Sequence, residues 1–189
     1  MEGMIKILGI AGSLRKESYN RSILRAAGKL VPHAAQLDTF ELDHIPPYNQ
    51  DHEREPPQAV LEFKAAIKAA DAILIVTPEY NYSVPGVLKN AIDWASRPYG
   101  DNAWDGKPVG VMGASTGMLG TARAQYHLRQ MFVFLNMVPL NKPEVMIPDA
   151  EDKLDDEGNL KDQKTTQKIR ELLVALTELS KSLQRAKAS

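Results

Sequence analysis

The chain has 189 residues, 43% hydrophobic and 25% charged, with a net charge of −1 and no cysteine. These values suit one globular domain over residues 1–189 and argue against a nucleic-acid or anionic-membrane partner. They also exclude disulfides, thiolate nucleophiles, Cys-ligated zinc and iron–sulfur clusters.

No apolar run approaches the roughly 20 residues that a bilayer span requires. The opening MEGMIKILGI lacks a secretory cleavage site, so a soluble cytoplasmic protein is expected. Met4–Ile10 reads as a buried strand, followed by a helix over Ser22–Val31 that begins near Asn20. Leu37–Leu42 is a short second strand, ended by the proline- and charge-rich loop Asp43–Pro57. A helix carrying Val60, Leu61, Ile67 and Ala70 follows, its start marked by Pro56 and Pro57. Ala72–Thr77 is a third strand without polar alternation, as expected when both sheet faces are covered.

Pro85 opens a helix bearing Val87, Leu88, Ala91, Ile92 and Ala95 on one stripe. Val109–Ala114 is a fourth strand and Thr121–Met137 a long helix. Val145–Ile147 lies in a weaker fifth strand, because Pro139 and Pro143 each remove a ladder donor and suit an edge. Asp149–Gln163 is acidic and turn-forming, and the last helix places Ile169, Leu172, Leu173, Leu176 and Leu183 on one face. Strands alternating with helices predict an α/β three-layer sandwich around a doubly wound parallel five-stranded sheet, since parallel strands need crossovers. With right-handed crossovers the expected order is 2-1-3-4-5, which puts a ligand against the loops after strands 1, 3 and 4.

Those loops carry unusual chemistry. After strand 1, Gly12–Arg21 (GSLRKESYNR) offers the hydroxyls of Ser13 and Ser18, the Asn20 amide, Tyr19, and the Arg15 guanidinium fork suited to phosphate oxygens. The N–H groups of the following helix add partial positive charge. The turn lacks both the Gly-Lys-Ser/Thr ending of a P-loop and the later glycines of a GxGxxG turn, which leaves a monophosphate cradle or an ordinary capped strand–helix turn. After strand 3, Pro78, Glu79, Tyr80, Asn81 and Tyr82 combine flat apolar area with polar handles, as a planar heterocycle requires, or simply pack the loop. After strand 4, Ser115, Thr116 and Gly117 with Gly120 allow close backbone approach, or form a flexible turn. No carboxylate–histidine grouping has metal spacing, and none of His33, His44, His52 and His127 stands out as catalytic.

GSLRKxSxN, TPEYNYSxPGxLKNAIDWxSRP and STGxxGTARAQYHLRQ resemble the NADPH-dependent FMN reductases, nearest the bacterial quinone/chromate reductases, over about residues 4–147. The resemblance implies a flavodoxin-like fold, non-covalent FMN, NADPH or NADH as co-substrate, and a homodimer or homotetramer. It implies that Ser13, Arg15, Ser18 and Asn20 bind the FMN phosphate. Pro78, Glu79, Tyr80 and Asn81 would line the ribityl chain and ring, with Ser115 and Gly117 flanking it. Glu17 departs from the pattern and is expected to face solvent, since a carboxylate repels a phosphate. The expected reaction is ping-pong: hydride to flavin, then two electrons to a small acceptor such as a quinone, chromate, an azo- or nitro-compound or a free flavin. The expected alternatives are a reductase that releases reduced flavin to a monooxygenase, or a flavodoxin-type carrier, which near-neutral charge disfavours. The long helix has apolar residues on more than one face, and its outer stripe is expected to meet a second copy.

Overall fold

The computed structural model describes residues 3–188. Strand β1 (Ile5–Ala11) leads through α1 (Tyr19–Leu30) to β2 (Ala35–Phe40), and α2 (Gln58–Ala69) precedes β3 (Ala72–Val76). Helix α3 (Gly86–Ala95) precedes β4 (Pro108–Ala114), and α4 (Ala122–Leu135) follows it. Two short strands, β5 (Val138–Pro139) and β6 (Val145–Ile147), then the turn-length α5 (Ala150–Lys153) and the long α6 (Gln163–Ala188), complete the order.

The sheet is parallel, ordered β2-β1-β3-β4-β5, with β6 also paired to β4. Because side chains alternate along a strand, β3 divides its residues between two cores. Ile73 and Ile75 join Phe63, Leu88, Trp94, Trp104 and Phe132 under α2, α3 and α4. Ala72, Leu74 and Val76 join Ile23, Leu24, Ile169, Leu172 and Leu176 under α1 and α6. The doubly wound expectation therefore holds in order and direction.

The fifth position differs from a single strand. Val138 and Pro139 pair with the first residues of β4, whereas Val145–Ile147 pair with its last three. The excursion between them is held by Arg129, which donates to the Leu140 carbonyl and the Asn141 side chain, both at 3.1 Å. Pro139 and Pro143 explain the break, since neither can donate to a continuous ladder. The second strand runs over Ala35–Phe40 and ends before Leu42, which is buried in the core from the following loop. Among the described residues no helix is long and apolar enough to cross a membrane.

Candidate functional site

The carboxyl ends of β1, β3 and β4 lie side by side, so their loops share one rim. In the first loop, Ser13 and Ser18 are buried while Leu14–Glu17 are exposed. Ser18 occupies the N-cap position of α1, yet its hydroxyl makes no capping bond. The opening N–H groups of a helix have no acceptor within the helix, so this end leaves backbone donors for an anion to engage. The Ser13 hydroxyl accepts from the Arg15 N–H at 3.3 Å, and the Arg15 guanidinium lies 5.2 Å from the centre of the Tyr19 ring.

The sequence pattern gives the Asn20 amide to the phosphate, and the structure engages it elsewhere. Its side chain donates to the Ala114 carbonyl and accepts from the Ala114 N–H, each at 2.9 Å. Both amide atoms are thus used to fasten α1 to the end of β4. Arg21 is likewise engaged, with Glu41 and Asp43. Glu17 is exposed, as expected, and lines a 540 Å³ cleft between Arg15, Lys16 and Tyr19 on one side and Asp155–Gly158 on the other.

The second loop is a tight turn. Tyr80 and Ser83 exchange two backbone hydrogen bonds of 3.0 Å, and the central residues Asn81 and Tyr82 are left-handed, with φ of 50° and 64°. Two positive φ values in the centre define a type I′ turn, a strained choice without glycine. The turn keeps Tyr80 half exposed at 50% and Tyr82 at 68%, so flat aromatic area lines the rim. Glu79, expected to line a ligand, instead turns its carboxylate to α4. It accepts from the N–H groups of Arg123 and Ala124 at 3.0 and 3.2 Å and pairs with the Arg123 guanidinium. An acid at a helix N-terminus is favourable, and the Glu79 hydrogen bond raises Arg123 above its ordinary value. Arg123 also covers the Tyr82 ring at 3.5 Å from its centre.

In the third loop, Ser115 is half-buried and donates to the Gly117 carbonyl at 3.1 Å, while Thr116, Gly117, Met118 and Leu119 are exposed. The chain then turns sharply. Gly120 is left-handed, and a Cβ there would lie 2.6 Å from the Ile147 nitrogen. Thr121, also left-handed and buried, packs onto Gly113.

The three loops are tied in pairs. Gly12 donates to the Val76 carbonyl at 2.9 Å, and a Cβ on it would meet Leu88 and Pro78 at 3.0 and 3.3 Å, so the first turn touches the second loop. Asn20 ties the first to the third, and Glu79 ties the second to α4. Sequence alone does not single out Arg123, Thr121, Gly113 and His127 as parts of this arrangement. Arg123 and His127 share a helix face by their i, i+4 spacing, the one signal that points to them. Among the described residues no cluster of three or more His, Asp or Glu is arranged to hold a metal.

Fold and rim together define a flavodoxin-like α/β protein whose first turn opens onto the switch point of the sheet. The family model described as NADPH-dependent FMN reductase matches residues 5–152, and the chain belongs to that family. It is therefore an NAD(P)H-dependent oxidoreductase that uses FMN. It is 52% identical to an NAD(P)H-dependent FMN reductase of Pseudomonas aeruginosa over 177 residues, covering 93% of this chain and 95% of that protein. It is 41% identical to a quinone reductase of Escherichia coli, covering 99% of this chain and all of the other. Among solved structures it is similar to a flavoenzyme NAD(P)H:(acceptor) oxidoreductase of Paracoccus denitrificans, with a TM-score of 0.87 and 35% identity over 94% of this chain and 98% of that one.

Proposed function

We propose that the protein reduces quinones with NAD(P)H by a ping-pong mechanism, on FMN held across the three loops. The observation that carries this reading is the pairing of two buried hydroxyls, Ser13 and Ser18, and the uncapped start of α1 with half-exposed tyrosines one strand away. A phosphate and a flat ring joined by a short polyol match that spacing of chemistries.

In this reading the hydroxyls of Ser13 and Ser18, the Arg15 fork and the opening N–H groups of α1, including that of Asn20, hold the phosphate. Tyr19 supports Arg15 from below. Pro78, Tyr80, Asn81 and Tyr82 form one wall of the ring pocket, with Glu79 fixing that wall from behind. Ser115, Thr116 and Gly117 form the other. Bound FMN supplies the hydride and two-electron chemistry that no side chain here can perform. The chain's part is to orient the ring, to leave one face open, and to place the first N–H groups of α3 where negative charge develops on reduction. An open face also admits azo- and nitro-aromatics, chromate and free flavins.

The outer face of α4 exposes Val133 at 84% and Phe134 at 71%, beside Tyr126. An apolar stripe of that kind supports a homodimer or homotetramer, and light scattering at micromolar concentration reads it directly. Initial rates with NADPH and a quinone varied together test the mechanism. Parallel double-reciprocal lines are expected, and intersecting lines refute it. FMN retained through gel filtration separates this enzyme from one that releases reduced flavin.

A further inference from the structure

Ser83 closes the strained tyrosine turn, and its hydroxyl lies 2.9 Å from Nδ1 of His127 on the second turn of α4. This contact spans 44 residues and joins others that α4 makes with the loop after β3. Glu79 binds the helix N-terminus, Arg123 covers Tyr82, and His127 reaches Ser83. The first two contacts hold the residue before the turn and the ring at its tip. Only the third holds its last corner, where the backbone leaves the turn for α3.

Asn81 and Tyr82 occupy a left-handed conformation that non-glycine residues adopt at a cost, and such conformations persist when the surroundings over-determine them. The turn's own two backbone hydrogen bonds do not fix its tilt against the rim. A side-chain hydrogen bond from a rigid helix does. His127 and Ser83 are not in the core, so this bond contributes little to global stability and much to where Tyr80 and Tyr82 stand.

We infer that His127 is a positioning residue for the flavin site, acting through Ser83 to hold the Tyr80–Ser83 turn as the wall against which the ring packs. The inference rests on the FMN reading above. It assigns His127 no contact with substrate and no proton transfer.

The chemistry of the contact sets the test. The Oδ1 atom of an asparagine occupies the same place along the side chain as Nδ1 of histidine, whereas phenylalanine keeps a flat ring and lacks any polar atom. FMN is titrated into the flavin-free forms of wild type, His127→Ala, His127→Asn, His127→Phe, Ser83→Ala and the double variant His127→Ala/Ser83→Ala, with thermal melting of each flavin-free form alongside. The expected result is an FMN dissociation constant raised roughly three- to tenfold in the two single alanine variants and in His127→Phe, the effect of one lost hydrogen bond. His127→Asn stays within about twofold of wild type, and the double variant is no worse than either single one. Melting temperatures of the flavin-free forms remain together. Rescue by phenylalanine rather than asparagine, or an alanine variant with unchanged affinity, overturns the inference. Failure of wild type itself to bind FMN instead overturns the functional reading beneath it.

Discussion

Asn20→Ala separates two roles that one residue in a phosphate turn can have. The side chain is buried and makes two hydrogen bonds of 2.9 Å to the backbone of Ala114, itself buried at the end of β4. Alanine leaves one N–H and one carbonyl without partners in a dry site. Each such group costs about 1–3 kcal/mol, so the variant loses about 2–6 kcal/mol. At about 2–4 °C per kcal/mol for a chain of this size, the melting temperature falls by about 4–24 °C. The assay is thermal melting of the flavin-free protein followed by circular dichroism, paired with FMN titration well below the melting range. A large fall in melting temperature with FMN affinity changed less than about threefold is expected, because both amide atoms are already bonded to Ala114 and neither is left for the phosphate. An unchanged melting temperature with strongly weakened FMN binding refutes the reasoning and returns the Asn20 amide to the phosphate.

Arg15→Ala should do the opposite. The exposed guanidinium adds a charge-assisted bond to the phosphate, so FMN affinity falls about tenfold or more while flavin-free stability stays within about 0.5 kcal/mol; equal losses in both contradict this. Gly113→Ala places a Cβ 2.1 Å from Thr121 Oγ1 and 2.2 Å from the Thr77 carbonyl. Urea unfolding should show a loss of at least about 3 kcal/mol, and a soluble variant of wild-type stability counts against the packing described. Lys64 and Lys68 hydrogen-bond Asp101 and hold its carboxyl below its ordinary value of 3.8. A carboxyl with a depressed folded-state value stabilises above the unfolded value, and that contribution is lost as pH falls through the folded one. Asp101→Asn should therefore be less stable than wild type at neutral pH, with the gap closing as pH drops below 3.8. Because Asp101 is 47% exposed, the gap is small and shrinks with salt; a gap that is constant through the acid range refutes the pairing.

Strand order and the position of the rim are legible in the sequence because both rest on local signals. Ala72–Thr77 and Val109–Ala114 are unbroken apolar runs, and such runs separated by helical stripes leave few topologies. The rim loops stand out because an anion-binding arginine and two flat tyrosines, Arg15, Tyr80 and Tyr82, fall where the strand order places a ligand. What is not legible is the direction in which Asn20 and Glu79 point. Both fall in the rim loops, yet each turns inward to a backbone partner, Ala114 or the start of α4, and nothing in the local sequence of Asn20 marks an acceptor 94 residues away. The split of the fifth strand is half legible: Pro139 and Pro143 mark a weak edge, while pairing of both fragments to β4 depends on Arg129 holding the excursion between them. Thr121 on Gly113 is hidden for the same reason, since a side chain packed onto a strand backbone leaves only a glycine and a small residue as its trace.

On the proposed function, the chain binds FMN across the three loops and passes electrons from NAD(P)H to a quinone. An anaerobic titration of the purified, FMN-loaded protein tests it most directly. NADPH should bleach the visible flavin band with one equivalent per bound FMN, and one equivalent of quinone added after the NADP⁺ is removed should restore it. A protein that takes up no FMN, or whose bound flavin is not bleached by NADPH or NADH, contradicts the account.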